Sequence, residues 1–221
     1  MLKFLVIIGL LLLANNSADA QSQPALCSDS FNMAFNATQL SGVWWEVARN
    51  PALAGLACVK VNFTEIQPEN VLEIAITYAV SNTYLWSNRT MYANVSLANS
   101  NVYNMNGYNI SYNDGTYTTK YAVYKLLNTD YENYALICGY TNVTNTATSF
   151  GIYLTRERNP NMTQLIELED AASTLYSDFS FGNMPLVNQS SSCYTSDAAT
   201  PYSIKIATLF AFLCISVIFA I

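Results

Sequence analysis

Leu40-Ser41-Gly42-Val43-Trp44-Trp45-Glu46-Val47-Ala48-Arg49 places a glycine and two tryptophans at the head of an extended segment. It reads as the opening of the first long strand of a closed antiparallel barrel. Gly42 lets the chain turn tightly beneath the barrel floor. The indole of Trp44 is large enough to plug that floor. Glu46 shares the parity of Trp44, so an alternating strand points it inward. Two pieces downstream fit the same plan. One is Thr129-Asp130-Tyr131-Glu132-Asn133-Tyr134-Ala135. The other is Arg156, closing Gly151-Ile152-Tyr153-Leu154-Thr155-Arg156.

These three pieces, in this order, resemble the lipocalin family, most closely the branch holding apolipoprotein D and the insect surface protein Lazarillo. The resemblance runs from about Cys27 to Cys193. Gly-x-Trp alone is a weak signal; Thr-Asp-Tyr-x-x-Tyr-Ala is far more specific. The resemblance implies an all-β fold, an eight-stranded antiparallel up-and-down barrel with one C-terminal flanking helix. It implies a barrel floor of Gly42, Trp44 and Arg156, with the guanidinium over the indole face, a structural contact worth roughly 0.5–2 kcal/mol. It also implies a small hydrophobic ligand in the barrel, such as a lipid, fatty acid, retinoid or pigment, and no cofactor.

Composition narrows the alternatives. The chain has 221 residues, 52% of them hydrophobic, and both ends are too apolar to be folded domain. What lies between, about 21–196, is long enough for one domain with its own core. Tyr, Thr, Val, Ile and Phe dominate it, with Asn in the gaps, as many short strands and turns require. There is no histidine. That removes Ser-His-Asp and Cys-His catalysis and the usual His-based zinc sites. A net charge of −6 without a basic stripe does not suit nucleic acid. No Gly-rich phosphate loop, metal cluster or nucleophile elbow occurs, and the chain reads as a binding protein and not an enzyme.

The two ends read as addresses. Met1-Leu2-Lys3 precedes an apolar run from Phe4 to Ala14, then Ala18-Asp19-Ala20. This is a signal peptide over 1–20, cleaved after Ala20; an uncleaved anchor is the alternative, against which the short apolar run argues. The last stretch, 206–221, is apolar and has no basic flank after it. The small residues Ser196-Asp197-Ala198-Ala199 and the spacer Thr200-Pro201-Tyr202-Ser203 come before it. That order is a GPI signal, with the lipid on Ser196 and 197–221 removed. A tail-anchored helix is the alternative. Lazarillo carries such an anchor, which draws the resemblance toward it. The expected location is the outer leaflet of the plasma membrane, or the extracellular medium if the tail is misread.

The cysteines are Cys27, Cys58, Cys138, Cys193 and Cys214. Cys214 leaves with the tail, and the remaining four allow three pairings. The resemblance implies Cys27–Cys138 and Cys58–Cys193, although Cys138 follows Tyr134 more closely than the family spacing has it. A few lipocalins are isomerases that use a barrel thiolate; here both bridges consume the thiols. Sequons stand at Asn36, Asn62, Asn88, Asn94, Asn109, Asn142, Asn161 and Asn188. Together they suggest a heavily glycosylated surface.

A glycosylated Asn must face solvent, and strand side chains alternate. Asn62 outward puts Val59, Val61 and Phe63 inward. Asn88 and Asn94 outward put Arg89, Met91, Ala93 and Val95 inward, and Asn109 outward does the same for Tyr108, Ile110 and Tyr112. The strands read as 42–49, 57–66, 70–80, 84–97, 107–113, 118–128, 132–141 and 148–156, with a hairpin turn at Asn113-Asp114-Gly115. A helix follows over 163–176, with Leu165, Leu168, Ala172 and Leu175 on one face, then a short last strand near 178–187. The candidate cavity residues are Val61, Phe63, Arg89, Met91, Val95, Tyr108, Ile110, Tyr112, Tyr124 and Ile152. Arg89, if buried, would hold a ligand carboxylate; the competing reading leaves it at the rim, in water. Besides the ligand, a cell-surface receptor is a candidate partner, met through glycans and loops.

Overall fold

The computed structural model describes residues 23–194 other than 82, 99 and 180–183. The signal peptide, Ser196, Cys214 and the apolar tail lie outside the described residues.

Eight strands form one antiparallel sheet: β1 Gly42–Asn50, β2 Ala57–Ile66, β3 Val71–Ala79, β4 Asn88–Ser96, β5 Tyr108–Ile110, β6 Ala122–Thr129, β7 Tyr134–Tyr140 and β8 Ser149–Thr155. Their order is β4-β3-β2-β1-β8-β7-β6-β5, so each strand but β4 neighbours the next in sequence and β1 joins β8. The sheet nearly closes. Between β4 and the residues after β5 there is no ladder, only a bridge in which Tyr92 and Asn113 exchange backbone hydrogen bonds of 2.8 and 2.9 Å. Closure removes the edges that an open sheet would expose.

A one-turn helix, α1 (Ala37–Leu40), precedes β1, and a longer one, α2 (Met162–Leu175), follows β8. Asn36 and Asn161 cap them, accepting from the N–H of Gln39 and of Thr163. Leu165 and Ala172 of α2 pack on the outer face of β7 and β8 with Leu136 and Tyr153. Leu175 departs from the expected face: it is 58% exposed. Counting from Leu165 and Ala172, the helical period reaches the packed Tyr176 instead.

Strand limits differ from the sequence reading where side chains take over backbone hydrogen bonds. The residues before β4 turn instead of extending, with Ser81 Oγ accepting from the N–H of Thr83 and Tyr84. β5 shortens and β6 starts late because Tyr112 N–H donates to the Thr119 hydroxyl. No strand spans 178–187 among the described residues. Leu186 and Asn188 make isolated bridges to Ala48 and Ala57. The hairpin turn is present: Gly115 has φ +91°, and Asp114 Oδ1 accepts from the N–H of Thr116 and Tyr117.

Two disulfides staple the terminal arms to the barrel. Cys27–Cys138 and Cys58–Cys193 have Cα separations of 5.8 and 5.5 Å. The inner core holds Trp44, Val61, Phe63, Leu72, Ile74 and Ile152 among others.

Candidate functional site

The closed end is built around Trp44. It is fully buried, and its Nε1 donates to Leu40 O at 2.7 Å. The Arg156 guanidinium lies 3.8 Å from the ring centroid. Arg156 also donates to the carbonyls of Gln39, Ser41, Val43 and Tyr131. It thereby ties the start of β1 to the β6–β7 turn. Gly42, at φ +102°, passes so close that a β-carbon would sit 3.1 Å from Arg156 Nη1. These contacts are structural and leave the floor sealed.

Above the floor lies a cavity of about 80 Å³. Of the sequence candidates, Val61, Phe63, Val95, Tyr108, Ile110, Tyr112, Tyr124 and Ile152 line it. Met91 does not: it is buried in the surrounding core, where its sulfur accepts from the Tyr78 hydroxyl. Arg89 does not either. It begins β4 at the rim, is half exposed, and pairs with Asp114 at 3.2 Å. That ion pair spans the seam between β4 and the hairpin turn, so Arg89 takes the rim position of the competing reading and helps close the barrel. Asp114 is held down to about 2 by hydrogen bonds from Thr116 and Tyr117, with Arg89 adding to the effect.

The lining also includes residues the sequence reading left out. Leu72, Ile74 and Ile76 alternate along β3 with Glu73 and Ala75, a pattern that marks an inward face. Phe35 and Leu40 come from the segment that crosses the floor. The most consequential omission is Arg49. Its Nε donates to Glu46 Oε1 at 2.5 Å and its Nη2 to Oε2 at 3.1 Å. Both residues line the cavity, and Glu46 is only 2% exposed.

Strict alternation would place residues 46 and 49 on opposite faces. A β-bulge prevents it: Glu46 opposes Leu154, Ala48 opposes Tyr153, and Val47 is the extra residue. Arg49 then opposes Ile152 and turns inward. Burial disfavours the Arg49 charge, but Glu46 outweighs it and the guanidinium pKa is raised. Arg49 also lies 5.2 Å over the Phe150 ring. Phe150 continues edge-on into Tyr124 and then Tyr112, at 5.3 and 6.2 Å. Burial pushes both tyrosine hydroxyls up, so they remain neutral donors at physiological pH.

Lys125 touches the lining from the other side. Its strand partner is Cys138, on the outer face, and its Nζ donates to the carbonyls of Ser28 and Ser30 in the N-terminal arm at 2.9 and 2.7 Å. Burial lowers its pKa, with Asp29 opposing. Among the described residues no cluster of His, Cys, Asp or Glu is placed to hold a metal.

Comparison with solved structures places this architecture. Per a 4, a major allergen from cockroaches, superposes with a TM-score of 0.51 at 15% identity, covering 71% of this chain and 90% of that one. Lobster apocrustacyanin A1 gives 0.51 at 18%, covering 72% and 82%. Insecticyanin from the tobacco hornworm Manduca sexta gives 0.51 at 17%, covering 71% and 84%. The fold is the lipocalin fold. No family profile and no curated protein sequence matches the chain. In lipocalin terms, Trp44 and Arg156 stand at the closed end of the barrel, and Arg49, near the end of β1, stands toward the open one.

Proposed function

We propose that this chain is a carrier or sequesterer of a small hydrophobic molecule, of the apolipoprotein D and Lazarillo branch, working on the outside of the cell. The observation that carries the reading is the cavity, walled by aliphatic and aromatic side chains above a sealed floor. Such a site binds by removing apolar surface from water, at roughly 25 cal/mol per Å². The test is a titration of the full-length chain's secreted product with N-phenyl-1-naphthylamine, a neutral dye that fluoresces when desolvated. Saturable binding of one equivalent is expected, abolished by Val61→Trp, which fills the cavity. No response in the unaltered protein would reject the carrier reading. Mass spectrometry of extracts from native material would then name the ligand.

A second reading is a GPI-anchored recognition protein that meets a cell-surface receptor through glycans and loops. It is favoured by exposure: Asn36, Asn88, Asn94, Asn109, Asn142, Asn161 and Asn188 are exposed and Asn62 is half-buried. The terminal carbohydrate and lipid are tested separately. Peptide N-glycosidase should lower the apparent mass in several steps on partial digestion. Phosphatidylinositol-specific phospholipase C should release the protein from intact cells. Retention after phospholipase treatment would favour a tail helix over the lipid anchor at Ser196.

A further inference from the structure

We infer that the cavity selects amphiphiles with an uncharged polar head, such as long-chain alcohols, and discriminates against both fatty carboxylates and fatty amines. The inference rests on the carrier reading above and deepens it. Its basis is the Glu46–Arg49 pair on the cavity wall toward the open end.

A cavity with one buried guanidinium would attract a carboxylate. Here that guanidinium is already held two-pronged by Glu46, at 2.5 and 3.1 Å. An incoming carboxylate must either displace Glu46, stranding it in an apolar wall, or remain without a counter-ion. An incoming ammonium meets the same problem with Arg49. A hydroxyl avoids both, because it can donate to the carboxylate's further lone pairs or accept from the guanidinium's other N–H groups. Among the described residues the wall's other charge, Lys125, is drawn outward to the N-terminal arm, and Arg89, off the wall, is drawn across the seam to Asp114.

The other polar groups of the wall are neutral. Tyr112 and Tyr124 stand near the pair. The Tyr108 hydroxyl is buried without a hydrogen bond of good geometry, beside Asn32. It offers a second neutral contact deeper along the aromatic wall, where Tyr108 meets Phe35 edge-on at 5.7 Å.

The experiment measures displacement of N-phenyl-1-naphthylamine from the full-length chain's secreted product by decanol, decanoate and decylamine at neutral pH. Decanol is expected to displace the dye at a concentration at least tenfold below either charged ligand. A merely greasy cavity would share that order, so the variants decide the cause. Glu46→Gln should strengthen decanoate selectively, by tenfold or more, and leave decylamine weak. Arg49→Gln should do the reverse. Glu46→Gln/Arg49→Gln, which restores neutrality, should return the original order. Equal effects of each single variant on both charged ligands would overturn the inference. So would unaltered protein that takes decanoate as well as decanol, a result that needs no variant to fold. Failure of the dye itself to bind would instead strike at the carrier reading.

Discussion

Gly42 and Arg156 show how one residue constrains another at the floor. The backbone at Gly42 adopts φ +102°, and Arg156 Nη1 occupies the space a side chain would need. Gly42→Ala is expected to cost about 1–3 kcal/mol, read as a lower midpoint in urea unfolding. Arg156→Lys should cost a similar roughly 1–3 kcal/mol. An ammonium cannot both lie flat on Trp44 and reach carbonyls on two segments. A Lys variant with unchanged stability would mean that the stack and the carbonyl contacts contribute little. These residues were legible before folding was considered, because the resemblance carried by the Gly-x-Trp, the turn motif and the strand-ending Arg implies their meeting at the floor. Arg89 was not. Its parity with Met91 and Val95 is that of an inward residue, but its place at the start of β4 lets a long side chain reach Asp114 instead.

At the scale of elements, the turns are sensitive to acid. Asp114 is held to about 2, and Asp130 is lowered too. Burial opposes the Asp130 charge, but N–H donors of Tyr134, Asn133 and Glu132 outweigh it. Both folded values lie below the unfolded aspartate value of about 3.9. The carboxylates therefore stabilise the fold above that pH, and their contribution fades as the pH falls toward 2. Circular dichroism from pH 5 down to 2 should show the loss, and Asp114→Asn should flatten it. An acid limb unchanged in that variant would assign the loss to other groups. The strand cores were readable from alternation and sequon spacing. Their ends were less so, since hydroxyls such as those of Ser81 and Thr119 compete with the ladder for backbone N–H groups.

At the scale of the whole molecule, the C-terminal arm supports the site. Val187 N–H donates to Val47 O at 2.9 Å, and Gln189 Nε2 donates to Glu46 O and Val59 O, each at 2.8 Å. These bonds serve the carbonyls of Glu46 and Val47 at the β1 bulge and that of Val59 at the register shift in β2. Gln189→Leu should destabilise the protein by roughly 1–3 kcal/mol, because it strands two buried carbonyls. Removing the Cys58–Cys193 bridge, which fixes the same arm across 135 residues, should cost about 2–5 kcal/mol. Denaturant titration measures both, and limited proteolysis after Leu186 should accelerate in each if the arm loosens. Intact resistance to proteolysis would show that the arm is held by other contacts.

The eight strands and most of the apolar wall were written in the chain, because alternation and turn chemistry are properties of neighbouring residues, and the floor residues followed from the family resemblance of three short motifs. Which arginine faces the cavity was not written there; it emerges only on folding. A one-residue slip between β1 and β8, supported by an arm 143 residues farther along the chain, turns Arg49 inward onto Glu46. A bulge has no local signature there, since its stability comes from partners that only the folded chain brings together.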